Sequence, residues 1–190
     1  SDPNLYKLRL TILDKKGRVT DQSVISLGIK SFEVIDKHFY LNGQPCFPKG
    51  ATVVWHRWMR TEEGRELGYD TAWFTKNIIQ RTRDLGGNYI RFHLGVPPER
   101  FLDLCDRYGM IVQYEWSFFH GAPASLESLL EQYRNWLDMA MCHPSVSLFH
   151  PYNETEGEQL KTVWEALSQM VVDYPPPVSY THLTLPTNRE

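Results

Sequence analysis

Asn153 and Glu154 stand side by side just after the short apolar run from Val146 to His150. A carboxylic acid at a strand end can protonate a glycosidic oxygen when its surroundings favour its protonated form. A neighbouring asparagine can donate a hydrogen bond to a sugar 2-hydroxyl, and that bond strengthens as oxocarbenium character develops. The same pair before a helix is also an ordinary capping and helix-dipole arrangement, so the dipeptide alone leaves both readings open. Other chemistries find less support. His56, His93, His120, His143 and His150 show no HExxH or other short ligand spacing, and no GxSxG elbow is present. Cys46, Cys105 and Cys142 are odd in number and widely spaced, which suits neither a disulfide framework nor a zinc site. No metal and no cofactor are expected.

The elements that must position these residues follow from periodicity. Leu5 to Leu13 and Val24 to Val34 read as strands, with Asp14-Lys15-Lys16-Gly17 turning between them. Phe39 to Pro45 reads as a hairpin leading into an extended Lys49 to Val54. From there strands alternate with helices. Asp70 can cap a helix with Phe74, Ile78, Thr82 and Leu85 on its apolar face, ended by Gly86-Gly87. Asn88 to His93 is the next strand, and Pro97-Pro98 opens a helix with Phe101, Leu104, Cys105 and Tyr108 on one face, stopped by Gly109. Met110 to Tyr114 is a strand. Ser125 caps a helix carrying Leu129, Leu130, Tyr133, Trp136, Leu137, Ala140 and Met141. His143-Pro144 breaks that helix before the strand from Val146 to His150, and Leu160, Val163, Trp164, Leu167 and Val171 outline a last helix. Four βα units in series imply a parallel sheet, doubly wound or barrel. No glycine-rich phosphate loop follows any strand, which weakens nucleotide binding.

Composition agrees with a globular chain. The 190 residues carry a formal charge of -3 and are 42% hydrophobic, enough for a sizeable core. A pI near 6.2 without a basic run argues against nucleic acid or an anionic membrane as the main partner. Nothing in the sequence assigns a compartment or an oligomeric state. The 13% of aromatic residues could stack on sugars but equally fill a core.

In order and spacing, several segments together resemble glycoside hydrolase family 2, the β-galactosidase, β-glucuronidase and β-mannosidase type. They are Leu5-Tyr6, the run from Gly28 to Val34, Phe39-Tyr40-Leu41-Asn42-Gly43 with Lys49-Gly50, the run from Asn88 to His93, the run from Phe101 to Gly109, His143-Pro144-Ser145-Val146, and Asn153-Glu154. The resemblance implies an α/β chain forming the first half of a (β/α)8 TIM barrel, over residues 35–177, preceded at 1–34 by the last strands of an immunoglobulin-like β-sandwich. It implies Glu154 as the proton donor, Asn153 as a substrate contact, and Arg91 as the arginine that orients the nucleophilic carboxylate. An ion pair of Arg91 with Glu115 is the competing reading. His93 could line the sugar site, Trp116 is the preferred sugar-stacking platform, and Trp55, His56 and Glu115 could shape the pocket. Departures bear on the substrate: Cys142 stands where the family usually has Asn, Phe149 where it often has Trp, and Tyr114-Glu115-Trp116 where Asp-Glu is common.

Residues 178–190 share no pattern with what precedes them and read as a non-native, adapter-derived tail. A complete barrel needs about 250 residues, so half of one is expected, without the seventh-strand glutamate that the family uses as nucleophile. The substrate implied is a β-linked oligosaccharide or glycoconjugate hydrolysed with retention, and the chain alone is expected to be inactive. Half a barrel also leaves an open sheet edge and exposed apolar surface. A non-catalytic carbohydrate-binding or interaction module and another barrel glycosidase family are the alternatives.

Overall fold

Leu5–Leu13 (β1) pairs antiparallel with Val19–Gly28 (β2), joined by a turn in which Asp14 accepts from the backbone of Lys16 and Arg18. The structure, a computed structural model, describes residues 3–120 and 125–173; the tail expected at 178–190 lies outside them. Among the described residues β1 pairs only with β2, so this part is a two-stranded ribbon. Tyr6, Leu8, Leu10 and Ile12 are exposed on it. Just beyond β2, the Lys30 ammonium donates to the Val146 carbonyl at 2.8 Å and the Ser147 hydroxyl at 2.5 Å.

Phe32–Ile35 (β3), His38–Leu41 (β4) and Gln44–Cys46 (β5) form an antiparallel meander. Buried Phe32 stacks on Phe39 with ring centres 5.4 Å apart. β3 runs through the boundary expected between residues 34 and 35 and pairs with β4. Phe32 to Val34 therefore go with the meander rather than with the ribbon.

Gly50–Val53 (β6), Tyr89–Phe92 (β7), Ile111–Glu115 (β8) and Val146–His150 (β9) form a parallel sheet in sequential order. This is the order of consecutive strands in a (β/α)8 barrel. Gly50 is required where it stands, because a Cβ there would sit 1.7 Å from the Tyr89 carbonyl oxygen. Side chains alternate along each strand. Val53, Ile90, Phe92, Val112 and Tyr114 are buried under the helices. Tyr89, Arg91, Gln113, Glu115 and His150 share the other, polar face, as their hydrogen bonds to one another require.

Between β6 and β7 lie three short helices, Trp55–Trp58 (α1), Glu62–Leu67 (α2) and Thr71–Phe74 (α3). A π-helical stretch, Thr75–Gln80, then leads into Arg81–Asp84 (α4). Asp70 caps α3 as expected, its Oδ1 accepting from the Trp73 amide at 2.9 Å. The π stretch corrects the expected apolar face. Phe74 and Thr82 are buried as expected, but the extra residue per turn gives the fully buried place to Ile79 and leaves Ile78 half-buried, and Leu85, the C-cap with φ of -84° and ψ of 9°, leaves the helix at 89% exposure.

Glu99–Tyr108 (α5) ends at Gly109, whose φ of 63° is the left-handed C-cap that glycine adopts without penalty. Phe101 stacks on Phe74 at 4.1 Å and meets the Trp55 edge at 5.0 Å. Leu126–Met141 (α6), capped by the Ser125 hydroxyl, buries Trp136 against Tyr114, Tyr133 and Phe149. Glu158–Asp173 (α7) packs on α6 and buries Val163, Ala166, Leu167 and Met170. No helix among the described residues is long and apolar enough to cross a membrane.

The π-shifted register has a measurable consequence. Ile79→Ala removes a fully buried side chain and should cost about 2–5 kcal/mol in urea unfolding. Leu85→Gln should stay within about 0.5 kcal/mol of the parent. Equal costs at the two positions would contradict this register.

Candidate active site

The polar face of the parallel sheet converges on Glu115, the last residue of β8, which is only 1% exposed. Its Oε1 accepts from the Arg91 Nε and from the Gln113 amide at 2.8 Å. Its Oε2 accepts from His93 Nδ1 at 2.7 Å and from the Leu94 backbone amide at 3.1 Å. His150 Nδ1 lies 3.3 Å from Oε1. Burial pushes the Glu115 carboxyl up, but the Arg91 bond, the Leu94 amide, and the nearby His150 and His93 outweigh it and hold it below the usual range. Glu115 is thus a buried, ionised anchor. The ion pair weighed as the competing reading for Arg91 is present.

Two polar chains run outward from this anchor. On one side the Tyr89 hydroxyl donates to Gln113 Oε1 at 2.5 Å, and the Gln113 amide also donates to His150 Nδ1 at 2.9 Å. Burial lowers the His150 imidazole from its ordinary value and raises the Tyr89 phenol to about 12. On the other side Arg91 Nη2 donates to Asn153 Oδ1 at 3.3 Å. His93 Nδ1 also lies 2.9 Å from Arg91 Nη2. One ring nitrogen cannot accept from the guanidinium and donate to the carboxylate at once; Arg91 Nη2 already has Asn153 Oδ1 as an acceptor, and the carboxylate contact is the shorter of the two. The proton of a neutral His93 therefore sits on Nδ1.

The strand ends are conformationally tight. Leu94, His120 and Glu154 have φ of 53°, 52° and 48°, in the left-handed region that side chains other than glycine seldom occupy. They follow β7, β8 and β9 respectively. Such outliers cluster where a fold holds residues for function. The loop after β8 and the loop after β9 are tied together, the Asn153 backbone N–H donating to the Phe118 carbonyl at 2.9 Å with a parallel bridge between Phe119 and Asn153. The left-handed turn leaves the Glu154 side chain 66% exposed, its Oε2 3.3 Å from His120 Nε2. The two residues line an open groove of about 680 Å³ with Glu156, Glu158 and Gln159.

Arg91, His93 and Asn153 are thus brought into one network with Glu115, and Glu154 lies directly beside it. Trp116 is not part of that network: its ring packs against Tyr133 and Trp136 of α6, at 6.4 and 6.1 Å. The geometry gives no support to a sugar platform there, because alternation along the strand turns the residue after Glu115 toward the helices. Trp55 is likewise buried, against Trp58, Tyr69 and Phe101. His56 is half-buried, its Nδ1 has no partner among the described residues, and burial followed by the nearby Arg57, Arg60 and His93 lowers its pKa. Sequence reasoning missed Tyr89, Gln113 and His120 as neighbours of the site. For Tyr89 and Gln113 the period-two alternation with Arg91 and Glu115 was the available signal.

A separate titratable cluster lies by the N-terminal ends of the strands. His143 Nδ1 pairs with Asp106 Oδ2 at 2.8 Å, and the Ser145 amide donates to Asp106 Oδ1 at 2.8 Å. With Asp103 these side chains come close enough to hold an ion. The cluster is built from α5 and the loop after α6, so no short sequence motif announces it. His143 and Asp106 already satisfy one another, which reads as a structural tie between α5 and β9.

No family profile matches the chain. A protein of Formosa agariphila assigned as a β-glucuronidase is 30% identical over 169 residues, covering 82% of this chain and 15% of that protein. The β-galactosidase large subunit of Latilactobacillus sakei is 27% identical over 164 residues, covering 83% and 22%. Among solved structures, the β-D-glucuronidase of Dictyoglomus thermophilum superposes with a TM-score of 0.74 at 23% identity, over 89% of this chain and 31% of that one. The chain thus spans less than a third of each of these relatives.

The anchor predicts a pH-dependent defect. Arg91→Met leaves the Glu115 carboxylate buried with its main charge partner gone, which should cost about 3–5 kcal/mol at pH 7. With Arg91 present, the folded-state pKa of Glu115 is depressed, so its stabilising effect is present above about pH 4.5 and is lost as pH falls through the folded value. In Arg91→Met the deficit should shrink on acidification, because protonating Glu115 relieves the unpaired charge. Denaturant unfolding at pH 7 and pH 5 measures this; a deficit independent of pH would contradict it.

Proposed function

Because the chain is homologous to the β-glucuronidases and β-galactosidases of glycoside hydrolase family 2 and matches a part of them, we propose that it carries the proton-donor half of a retaining exo-β-glycosidase site. Glu154 is the acid/base and Asn153 the contact to the sugar 2-hydroxyl. The observation that carries this reading is the arrangement after β9. A left-handed turn directs the Glu154 carboxyl into an open groove, while its neighbour Asn153 is held by Arg91 from the adjacent network.

The reaction proceeds by double displacement. Glu154 protonates the glycosidic oxygen as a second carboxylate attacks the anomeric carbon, giving a covalent glycosyl-enzyme. Glu154 then takes a proton from the water that releases the sugar. Asn153 strengthens its bond to the 2-hydroxyl as positive charge builds on the ring. Arg91, already paired with Glu115, keeps a guanidinium face near the place the nucleophile would occupy, and His93 lines the same side.

The second carboxylate belongs, in this reading, to barrel strands beyond this chain. The four parallel strands among the described residues and the small share of each relative that is matched support that division. So does the exposure of Glu154: a proton donor works best shielded from water, and a side chain 66% exposed needs cover that these residues do not supply. Residues 1–31, up to the start of β3, are proposed as the end of a preceding β-sandwich domain and 178–190 as a non-native tail. The substrate is a terminal β-linked sugar of an oligosaccharide or glycoconjugate.

The test pairs two measurements. The 190-residue chain alone should release no phenolate from aryl β-glucuronides, β-galactosides or β-mannosides. In the enzyme that completes this half-barrel, Glu154→Gln should lower kcat by about 10²–10⁴-fold on alkyl β-glycosides. The loss in kcat/KM, which reports the first step alone, should be smaller on aryl glycosides, whose leaving group departs without a proton. An unchanged kcat in Glu154→Gln would remove Glu154 from the role, and turnover by the chain alone would remove the split site.

A further inference from the structure

We propose that Glu115 is a positioning residue which, through Arg91, fixes the end of the Asn153 side-chain amide that faces the sugar. The inference rests on the reading of Asn153 as the 2-hydroxyl contact and adds what sets its direction. A side-chain amide has a donor end and an acceptor end of nearly the same shape, so an asparagine contact is useful only when its orientation is imposed.

The imposition is traceable atom by atom. A guanidinium has five N–H donors and no acceptor, so the Asn153 atom facing Arg91 Nη2 at 3.3 Å has to be Oδ1. Nδ2 is thereby turned away, and it is buried without a partner among the described residues. In the reading of Asn153 as the 2-hydroxyl contact, a sugar hydroxyl oxygen supplies its acceptor. Arg91 cannot swing away to release the amide, because its Nε is bound to Glu115 Oε1.

Glu115 is equally fixed. An ionised carboxylate has about four acceptor sites, and four donors fill them: Arg91 Nε, the Gln113 amide, His93 Nδ1 and the Leu94 backbone amide. The sense of Gln113 is set in turn, since its Oε1 accepts from Tyr89 and its amide donates to both Glu115 and His150. Each of the four contacts at Glu115 runs from donor to carboxylate, and only an acceptor at position 115 satisfies all of them together. A saturated carboxylate has no free lone pair with which to attack an anomeric carbon or take a proton, so its part is orientation. The same contacts hold His93 with its proton on Nδ1 and pin the left-handed backbone of Leu94.

The test uses nitrogen-15 NMR on the whole 190-residue chain without sugar. The Asn153 side-chain NH2 signals are assigned through Asn153→Asp. In the parent, Arg91 Nε–H should exchange slowly and His93 should show the Nδ1–H tautomer. In Glu115→Gln, Arg91 Nε–H exchange should quicken by tenfold or more, the His93 tautomer should change, and the Asn153 NH2 pair should shift. The Trp136 indole signal reports that the core is intact. Should Glu115→Gln fail to fold, Arg91→Lys separates the links: the Asn153 pair should shift while His93, still held by Glu115, keeps its tautomer. Asn153 signals identical to the parent in either folded variant would overturn the proposal. The functional reading fails by a different route. If Asn153→Ala in the completed enzyme leaves the kcat/KM ratio between a β-glycoside and its 2-deoxy analogue unchanged, Asn153 does not contact the 2-hydroxyl, and the NMR coupling still stands.

Discussion

A carboxylate taken out of water is stable only if donors replace its hydration, and that demand at Glu115 organises the polar half of this molecule. Four donors, one from β7, two from the residues just after it and one from β8, meet its two oxygens, and a histidine from β9 stands beside them. Each donor is itself a residue whose direction matters. The strand register that places Arg91 beside Gln113 and Glu115 beside His150 is therefore specified twice, by backbone pairing and by this charge. A one-residue slip in any of the three strands would bring an apolar side chain to the carboxylate and a charged one to the core.

The opposite face of the sheet supplies the rigidity. Phe74, Phe92 and Phe101 stack in one group, and Tyr114, Tyr133, Trp136 and Phe149 form another around α6. Large aromatic side chains bury much area and pack with directional contacts, so the strands they carry have little freedom to shift. Rigid strands let the loops after them hold the unfavourable backbone angles of Leu94, His120 and Glu154. Strain of this kind persists only where its surroundings over-determine it. The polar network and the aromatic layer thus act on the same three strand ends from opposite sides.

Much of this was legible in the sequence, and the misses have identifiable causes. The alternation of elements, the Asp70 and Ser125 caps and the Gly109 stop all reflect local chemistry, and the helices formed where that chemistry placed them. Ile79 takes the buried place expected for Ile78 because a π-helical stretch changes the residues per turn and nothing in the local composition marks it, and Leu85 is exposed because the helix ends there. Phe32 to Val34 were set with the ribbon because an extended run does not reveal which partner it will choose. Arg91, His93, Asn153 and Glu154 were named from resemblance, and the network joining the first three could not be derived from spacing, since it spans three strands 24 to 62 residues apart. Trp116 was read for its chemistry when its parity beside Glu115 already assigned it to the helix side.

In a structure of the chain assembled with the remaining strands of its barrel, the Glu154 carboxyl should lie about 5–5.5 Å from a second carboxylate, the separation that permits direct attack on the anomeric carbon. A separation of about 6.5–9.5 Å, leaving room for water, would mean an inverting site. Either that result or the absence of any carboxylate facing Glu154 would contradict the division of a retaining active site proposed here.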